Sequence, residues 1–311
     1  MTHTARTVLP TDLVALVSYD GRVYANEAMT RDRIGTHDSP HPLETAFEQW
    51  FSFATGRHTW ISVKGATLRG LVSARKRGSR LAWEIDCLIN ASEADNSVLL
   101  SLLDQVTAAA GKSGAFKIFV RLPAGCQTAR TVARAGFSPY LREQVYRRPG
   151  TPDDAPHHAP EGLRRRTKAD LHGIFQLYNT VVPHETRRVE AMTYAEWTAS
   201  QESIGKAAQY VLDRDDRIRG WLRVARDGDA ARFDLLAEPD ALDDLVEAAM
   251  AKAAGSHSVH ALLPEYQDGI SWRLETLGFE SAETYAVLAR KTVRPVKAPR
   301  TVPALVHTTL G

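Results

Sequence analysis

The sequence predicts an α/β (α+β) protein made of two tandem copies of one unit, each a mixed, mostly antiparallel sheet flanked by helices. Three observations predict it: a proline-rich break near mid-chain, a pair of matching β-hairpins, and a pair of matching endings that close on Gly-Phe.

The break is PGTPDDAPHHAPEG at 149–162, with four prolines and two glycines in 14 residues. That composition stops both a helix and a central strand, so it reads as a linker. It divides the chain into a first domain at 1–148, the linker at 149–162 and a second domain at 163–291. A tail at 292–311 carries Pro295, Pro299 and Pro303 and reads as extended.

In the first copy, PTDLVALV at 10–17 looks like a capped helix start, and TKADLHGIFQLY at 167–178 is its counterpart after a short strand. Residues 60–74 and 210–224 alternate apolar and polar side chains around a turn, the signature of a hairpin. In both, an aromatic stands ten residues before the glycine of an Arg-Gly pair, Trp60 to Gly70 and Tyr210 to Gly220. The endings match as well. A strand reaching Pro123, a helix closing on Gly136-Phe137 and a strand to Arg148 parallel a strand reaching Pro264, Gly278-Phe279 and a strand to Arg290.

Composition narrows the classes of function. The 311 residues are 43% hydrophobic and 24% charged with a net charge of +2, enough apolar material for two cores. That charge gives no global reason to expect nucleic acid or an anionic membrane as partner. No apolar run approaches the roughly 18 residues a membrane helix needs, and the first residues lack the apolar stretch of a secretory leader, so a cytoplasmic protein is expected. Cys87 and Cys126 are too few for a disulfide scaffold or a thiolate zinc site. The loop histidines His37, His41, His157 and His158 lack acidic or thiol partners at metal spacing, so no metal is expected. Seven bases and no acid lie between Gln49 and Trp83: Arg57, Lys64, Arg69, Arg75, Lys76, Arg77 and Arg80. They would suit an acidic ligand or RNA, but no aromatics interleave them between Trp60 and Trp83, and acids elsewhere in the chain are the plainer partners.

The repeated order, with LRRRTKADLHGIFQLY at 163–178 and the two Gly-Phe turns, resembles the GCN5-related N-acetyltransferase (GNAT) superfamily over roughly 9–148 and 162–290. That resemblance implies acetyl-CoA as cofactor and transfer of its acetyl group to an amine of a small molecule or peptide. It implies that strand amides near Leu88 and Ile89 polarise the thioester, and that the helix start at Asn96 and Ser97 receives the diphosphate. Glu84 or Asp86, on the central strand, would take the proton of the attacking amine. In the second copy His184, Glu185 and Arg188 fall where the family's variable loop lines the substrate pocket. EAMT occurs in that loop, at 190–193, and again at 27–30.

The chain departs from the family's pattern where phosphate is bound. No glycine stands between Gly78 and Gly111, and Ala94, Ser97 and Leu99 replace the basic residue and glycines, with Glu93 and Asp95 beside them. In the second copy the segment from Asp234 to Gly255 is 21 residues against 28 from Asp86 to Gly114, and Glu238, Asp240, Asp243 and Asp244 crowd it. Neither copy has the tyrosine acid before Gly-Phe; Val132 and Leu274 stand there. The alternative is therefore a GNAT-like fold kept as a binding or scaffolding module without transferase activity. Exposed strand edges and the tail leave room for a homodimer.

Overall fold

A computed structural model describes residues 6–7, 26–35, 57–64, 67–91, 95–150 and 159–292. The helix expected at 10–17, Glu93 and Ala94 of the expected phosphate loop, most of the linker, the tail from 293, and His37, His41, His157 and His158 lie outside the described residues.

The first half runs β1 (Arg6–Thr7), β2 (His58–Lys64), β3 (Thr67–Lys76), β4 (Ala82–Asn90), α1 (Asn96–Ser113), β5 (Lys117–Pro123), α2 (Gln127–Arg134) and β6 (Ser138–Pro149). The second half runs β7 (Leu163–Arg165), α3 (Leu171–Val181), α4 (His184–Glu190), α5 (Tyr194–Ser200), β8 (Ala208–Arg214), β9 (Arg217–Asp227), β10 (Ala230–Ala237), α6 (Leu242–Ala253), β11 (Ser258–Pro264), α7 (Ser271–Thr276) and β12 (Glu280–Lys291). From β2 and from β8 onward, the two halves repeat one order of elements: three strands, a helix, a strand, a helix and a strand.

The repeated Arg-Gly pair has a physical cause. In each hairpin the ladder slips by one residue just before the glycine, leaving Arg69 or Arg219 as the extra residue of a bulge. The glycine then lies under the helix that follows the central strand. A Cβ on Gly70 would stand 3.0 Å from Leu102, and one on Gly220 only 2.5 Å from Leu245. Both leucines are fully buried, and helix and hairpin meet this closely only without a side chain there. The Gly-Phe turns also behave alike. Gly136 and Gly278 have φ of +84° and +81°, and each is followed by a buried phenylalanine.

The sheet departs from two closed units. Its twelve strands form one surface in the order β1-β2-β3-β4-β5-β12-β6-β11-β10-β9-β8-β7. The last strand of each half has crossed over: β12 pairs with β5, and β6 pairs with β11. The cores follow the strands. Leu288 of β12 packs with α1 and Phe137, while Tyr146 of β6 packs with α6 and Phe279. A boundary near 150 therefore divides the sequence into repeats but does not divide the packing, because each core is completed by the other half's last strand. No helix among the described residues is long and apolar enough to cross a membrane.

Candidate functional site

Each half contains one parallel strand pair that separates along its length. β4 and β5 pair only at 82–84 with 117–119, and β10 and β11 only at 230–233 with 258–261. Beyond those residues the strands diverge, leaving a wedge lined by backbone N–H and C=O groups that need partners.

The first wedge is filled by the chain itself. The Asn26 carboxamide donates to Asp86 O at 3.1 Å and accepts from Leu88 N at 2.8 Å. Glu27 N donates to Leu88 O on one strand, and Met29 N donates to Arg121 O on the other, both at 2.9 Å. Ala28 is buried in the first core, and Thr128 donates its hydroxyl to the Glu27 carboxylate at 2.8 Å. Residues 26–29 thus stitch β4 to β5.

The second wedge keeps a cavity of about 90 Å³, walled by Leu235 and Leu236 of β10, Leu262 of β11, and Tyr178, Trp197 and Trp221. Its charged floor belongs to a chain of ion pairs linking the two halves. Arg75 forks onto Asp32 at 3.0 Å and reaches Glu84 at 2.6 Å. Arg77 joins Glu84 to Glu202. Arg121 forks onto Glu202 at 2.8 and 2.9 Å and bonds Glu143 at 2.6 Å. Arg31 joins Glu143 to Asp234 at 2.6 and 2.7 Å, and Arg223 forks onto Asp234. Five arginines thereby balance five acids. Burial alone would raise Glu202, but Arg121, Arg77 and Arg31 outweigh it and hold its carboxyl well below the usual range.

Glu190, the last residue of α4, stands outside that balance. It lines the cavity, and its Oε2 accepts from the uncharged Tyr178 hydroxyl at 3.1 Å. Burial pushes its carboxyl above the usual range despite the nearby Arg77. Tyr178 is raised too, by burial and then by Glu190, so its phenol stays protonated and donates. Lys117 of β5 holds the end of α4 by donating to the carbonyls of Val189 and, at 2.8 Å, Glu190. Burial lowers that ammonium to about 8.

No family model matches the sequence, and no curated protein matches it. Solved structures do match its fold. A GCN5-related N-acetyltransferase from Sphaerobacter thermophilus superimposes with a TM-score of 0.53 at 14% identity, covering 94% of this chain and 97% of that one. A putative acetyltransferase from Pyrococcus horikoshii gives 0.51 at 12% identity, covering 94% and 91%. The chain has the GNAT fold.

Within the GNAT fold, the site residues expected from the sequence are scattered. Glu84 and Asp86 do lie on the central strand β4, but both are held by arginines, Glu84 by Arg75 and Asp86 by Arg57 at 2.8 Å. Neither is among the side chains lining the cavity. A bulge puts Asp86 between the pairs Ala74–Ile85 and Ser73–Cys87, so the alternation of side chains along β4 breaks between Glu84 and Asp86. The strand residues expected at the thioester have partners within the chain. Leu88 gives both its N–H and its C=O to residues 26–27, and Ile89 is paired with Leu71 of β3 and buried among Ile61, Leu68 and Cys87.

At α1 the cap is Asp95, whose carboxylate accepts from Ser97 N at 3.0 Å. Asn96 and Ser97 are the first helical residues, and the Asn96 side-chain Oδ1 accepts from the Thr131 hydroxyl at 3.0 Å. An aspartate already occupies the place of an anion. His184, Glu185 and Arg188 turn outward, 58%, 81% and 63% exposed, and contact one another. The cavity-facing member of their helix is Glu190, two residues beyond Arg188. Its signal in the sequence was the repeated EAMT, since both copies of that motif lie at a wedge. Of the basic hairpin residues, Arg57, Arg75 and Arg77 are all paired with acids. Among the described residues no group of acids, histidines and cysteines is arranged to hold a metal.

Proposed function

We propose that this protein is an acyltransferase that moves an acyl group from a coenzyme A thioester to an amine, in the wedge of its second half. The observation that carries the reading is Glu190: a half-buried carboxyl raised by desolvation, outside the chain of ion pairs and facing a cavity between separated strands. A base of that kind is matched to removing a proton from an attacking ammonium near neutral pH. The fold supports the reaction class, since GNAT folds are the setting of the acetyltransferases named above.

The chain's own contributions follow from the geometry. Tyr178 donates to Glu190 and fixes its orientation, and Lys117 fixes the backbone carrying it. Trp197, Trp221 and Tyr178 wall the cavity with aromatic surface and limit the entry of water. Coenzyme A would supply the activated acyl group. Its amide-bearing arm suits the edge of β10 that diverges from β11, whereas its diphosphate finds no ready seat: Asp243 and Asp244 occupy the first turn of α6.

The first half serves as scaffold in this reading. Its wedge is closed by residues 26–29 and its α1 start by Asp95, which is the specific observation favouring a non-catalytic role for that copy. The test is release of free thiol from acetyl-CoA in the presence of a panel of primary amines. We expect amine-dependent release, and a loss of about 100-fold or more in kcat for Glu190→Gln. Full activity in that variant, or no release with any amine, would overturn the proposal.

A further inference from the structure

Both wedges are closed by a carboxamide in the same manner, on different elements. In the first, Asn26 bridges Asp86 O and Leu88 N, two residues apart on β4. In the second, Gln267 bridges Leu235 O and Ala237 N, again two residues apart, on β10. In the orientation that satisfies both ends of its amide, it donates to Leu235 O at 2.9 Å and accepts from Ala237 N at 3.2 Å. Gln267 is 5% exposed, and its backbone kinks out of helical geometry (φ −115°, ψ 28°) within 265–270, beside the cavity-lining Tyr266.

The two closures differ in what holds them. The first is a stretch of backbone, bonded to both strands and buried in a core. The second is one side chain, which can rotate away without moving the main chain. A carboxamide presents the same donor and acceptor as a secondary amide of a ligand, so it holds the place such a ligand would take.

The surroundings of α6 add a constraint. Glu238 is bound by Arg217 and by Arg219 at 2.8 Å, Asp244 by Arg214 at 2.8 Å, and Asp243 lies 3.5 Å from Arg273. The arginines nearest the helix start are thus already neutralised by acids, and a diphosphate would have to displace carboxylates to reach them.

We propose that Gln267 is a latch on the second wedge: the amide arm of the acyl donor displaces its carboxamide from β10, and the donor is gripped by that arm and not by its diphosphate. This rests on the acyl-transfer reading and names how its donor is recognised. Acetyl-CoA and acetyl-pantetheine, which share the arm and thioester but differ in the nucleotide diphosphate, are titrated calorimetrically into wild type and Gln267→Ala. Thiol release to an amine is followed in parallel.

The expected result is equal affinity for the two thioesters within about threefold, little change between low and high salt, and binding about tenfold tighter in Gln267→Ala. A tenfold gain corresponds to about 1.4 kcal/mol, the scale of the one or two neutral hydrogen bonds no longer displaced. Two results would overturn the latch while leaving acyl transfer standing: acetyl-CoA bound 100-fold or more tighter than acetyl-pantetheine with steep salt dependence, or transfer by a variant with unchanged or weaker donor affinity. Binding that follows the expected pattern without any thiol release would overturn acyl transfer and leave the latch. No binding of either thioester to either protein would overturn both.

Discussion

The same four residues, EAMT, meet the two wedges of this protein and do different things there. At 27–30 they enter the first wedge as backbone, with Glu27 and Met29 bonded across to Leu88 and Arg121. At 190–193 they skirt the second. Glu190 offers a carboxyl to the cavity, Ala191 is fully buried and Thr193 caps α5 by accepting from Glu196 N at 3.2 Å. The difference teaches that a repeated unit can keep its sheet and change its site by routing a connecting segment differently. One copy has used its free strand edges for its own stability. The other leaves them to a side chain that can yield.

The largest effect should come from the element both regions share. Arg121 bonds Glu143 and Glu202 while almost fully buried, so Arg121→Ala takes the shared cation from two buried carboxylates and leaves Glu143 to Arg31 and Glu202 to Arg77. Loss of about 3–5 kcal/mol is expected in denaturant unfolding, within one cooperative transition because the last strands are exchanged. Separate transitions for the two halves would break the picture of a shared core.

Next is Glu190→Gln, which should gain stability as it loses activity. A carboxyl raised in the folded state favours folding below its unfolded pKa, and that contribution is lost as pH rises through the folded value. At pH 7, above the unfolded value, the desolvated carboxyl is therefore a burden that glutamine removes, so the melting temperature rises. A lower melting temperature would mean that Glu190 is a structural partner of Arg77.

Asn26→Ala takes the acceptor from Leu88 N and Ala28 N and should cost about 1–3 kcal/mol. Because residues 27–29 still fill the first wedge, it should not change affinity for acetyl-CoA. Tighter binding there would show that the first wedge also opens.

Lys117, lowered to about 8 by burial, gives a pH test of the support under Glu190. Below pH 8 the group is charged in both states and its burial penalty is fully present. From pH 8 towards 10.5 the unfolded chain binds more protons, so stability rises with pH. Wild type should gain about 1–2 kcal/mol relative to Lys117→Met between pH 7.5 and 9.5. The smallest effect belongs to the residues the sequence favoured for substrate. Glu185→Ala breaks only exposed contacts and should change stability by less than about 0.5 kcal/mol, with thiol release unaltered.

The repeat, its hairpins and its Gly-Phe turns were legible in the sequence because each rests on local geometry: alternation along a strand, a bulge beside Gly70 and Gly220, a left-handed glycine closing a helix. The poverty of the helix starts was legible too, since Asp95 and Asp243 are near neighbours in sequence of the amides they crowd. Glu84 and Asp86 were placed on the right strand, but their arginines come from the neighbouring segments Arg57 and Arg75, and spacing along one strand does not reveal which acids are already paired. His184, Glu185 and Arg188 drew attention for their polarity, and polarity is as much the mark of a solvated helix face as of a pocket.

Tertiary structure alone decided the rest. The exchange of β6 and β12, the filling of one wedge by residues 26–29 and the isolation of Glu190 all depend on contacts between residues dozens to hundreds of positions apart. Local pattern fixes which residues form strands and helices, because those preferences act over a few bonds. Which strand lies beside which, and which acid stands outside the chain of ion pairs, is set by the balance of every charge and every free backbone group across the assembled sheet.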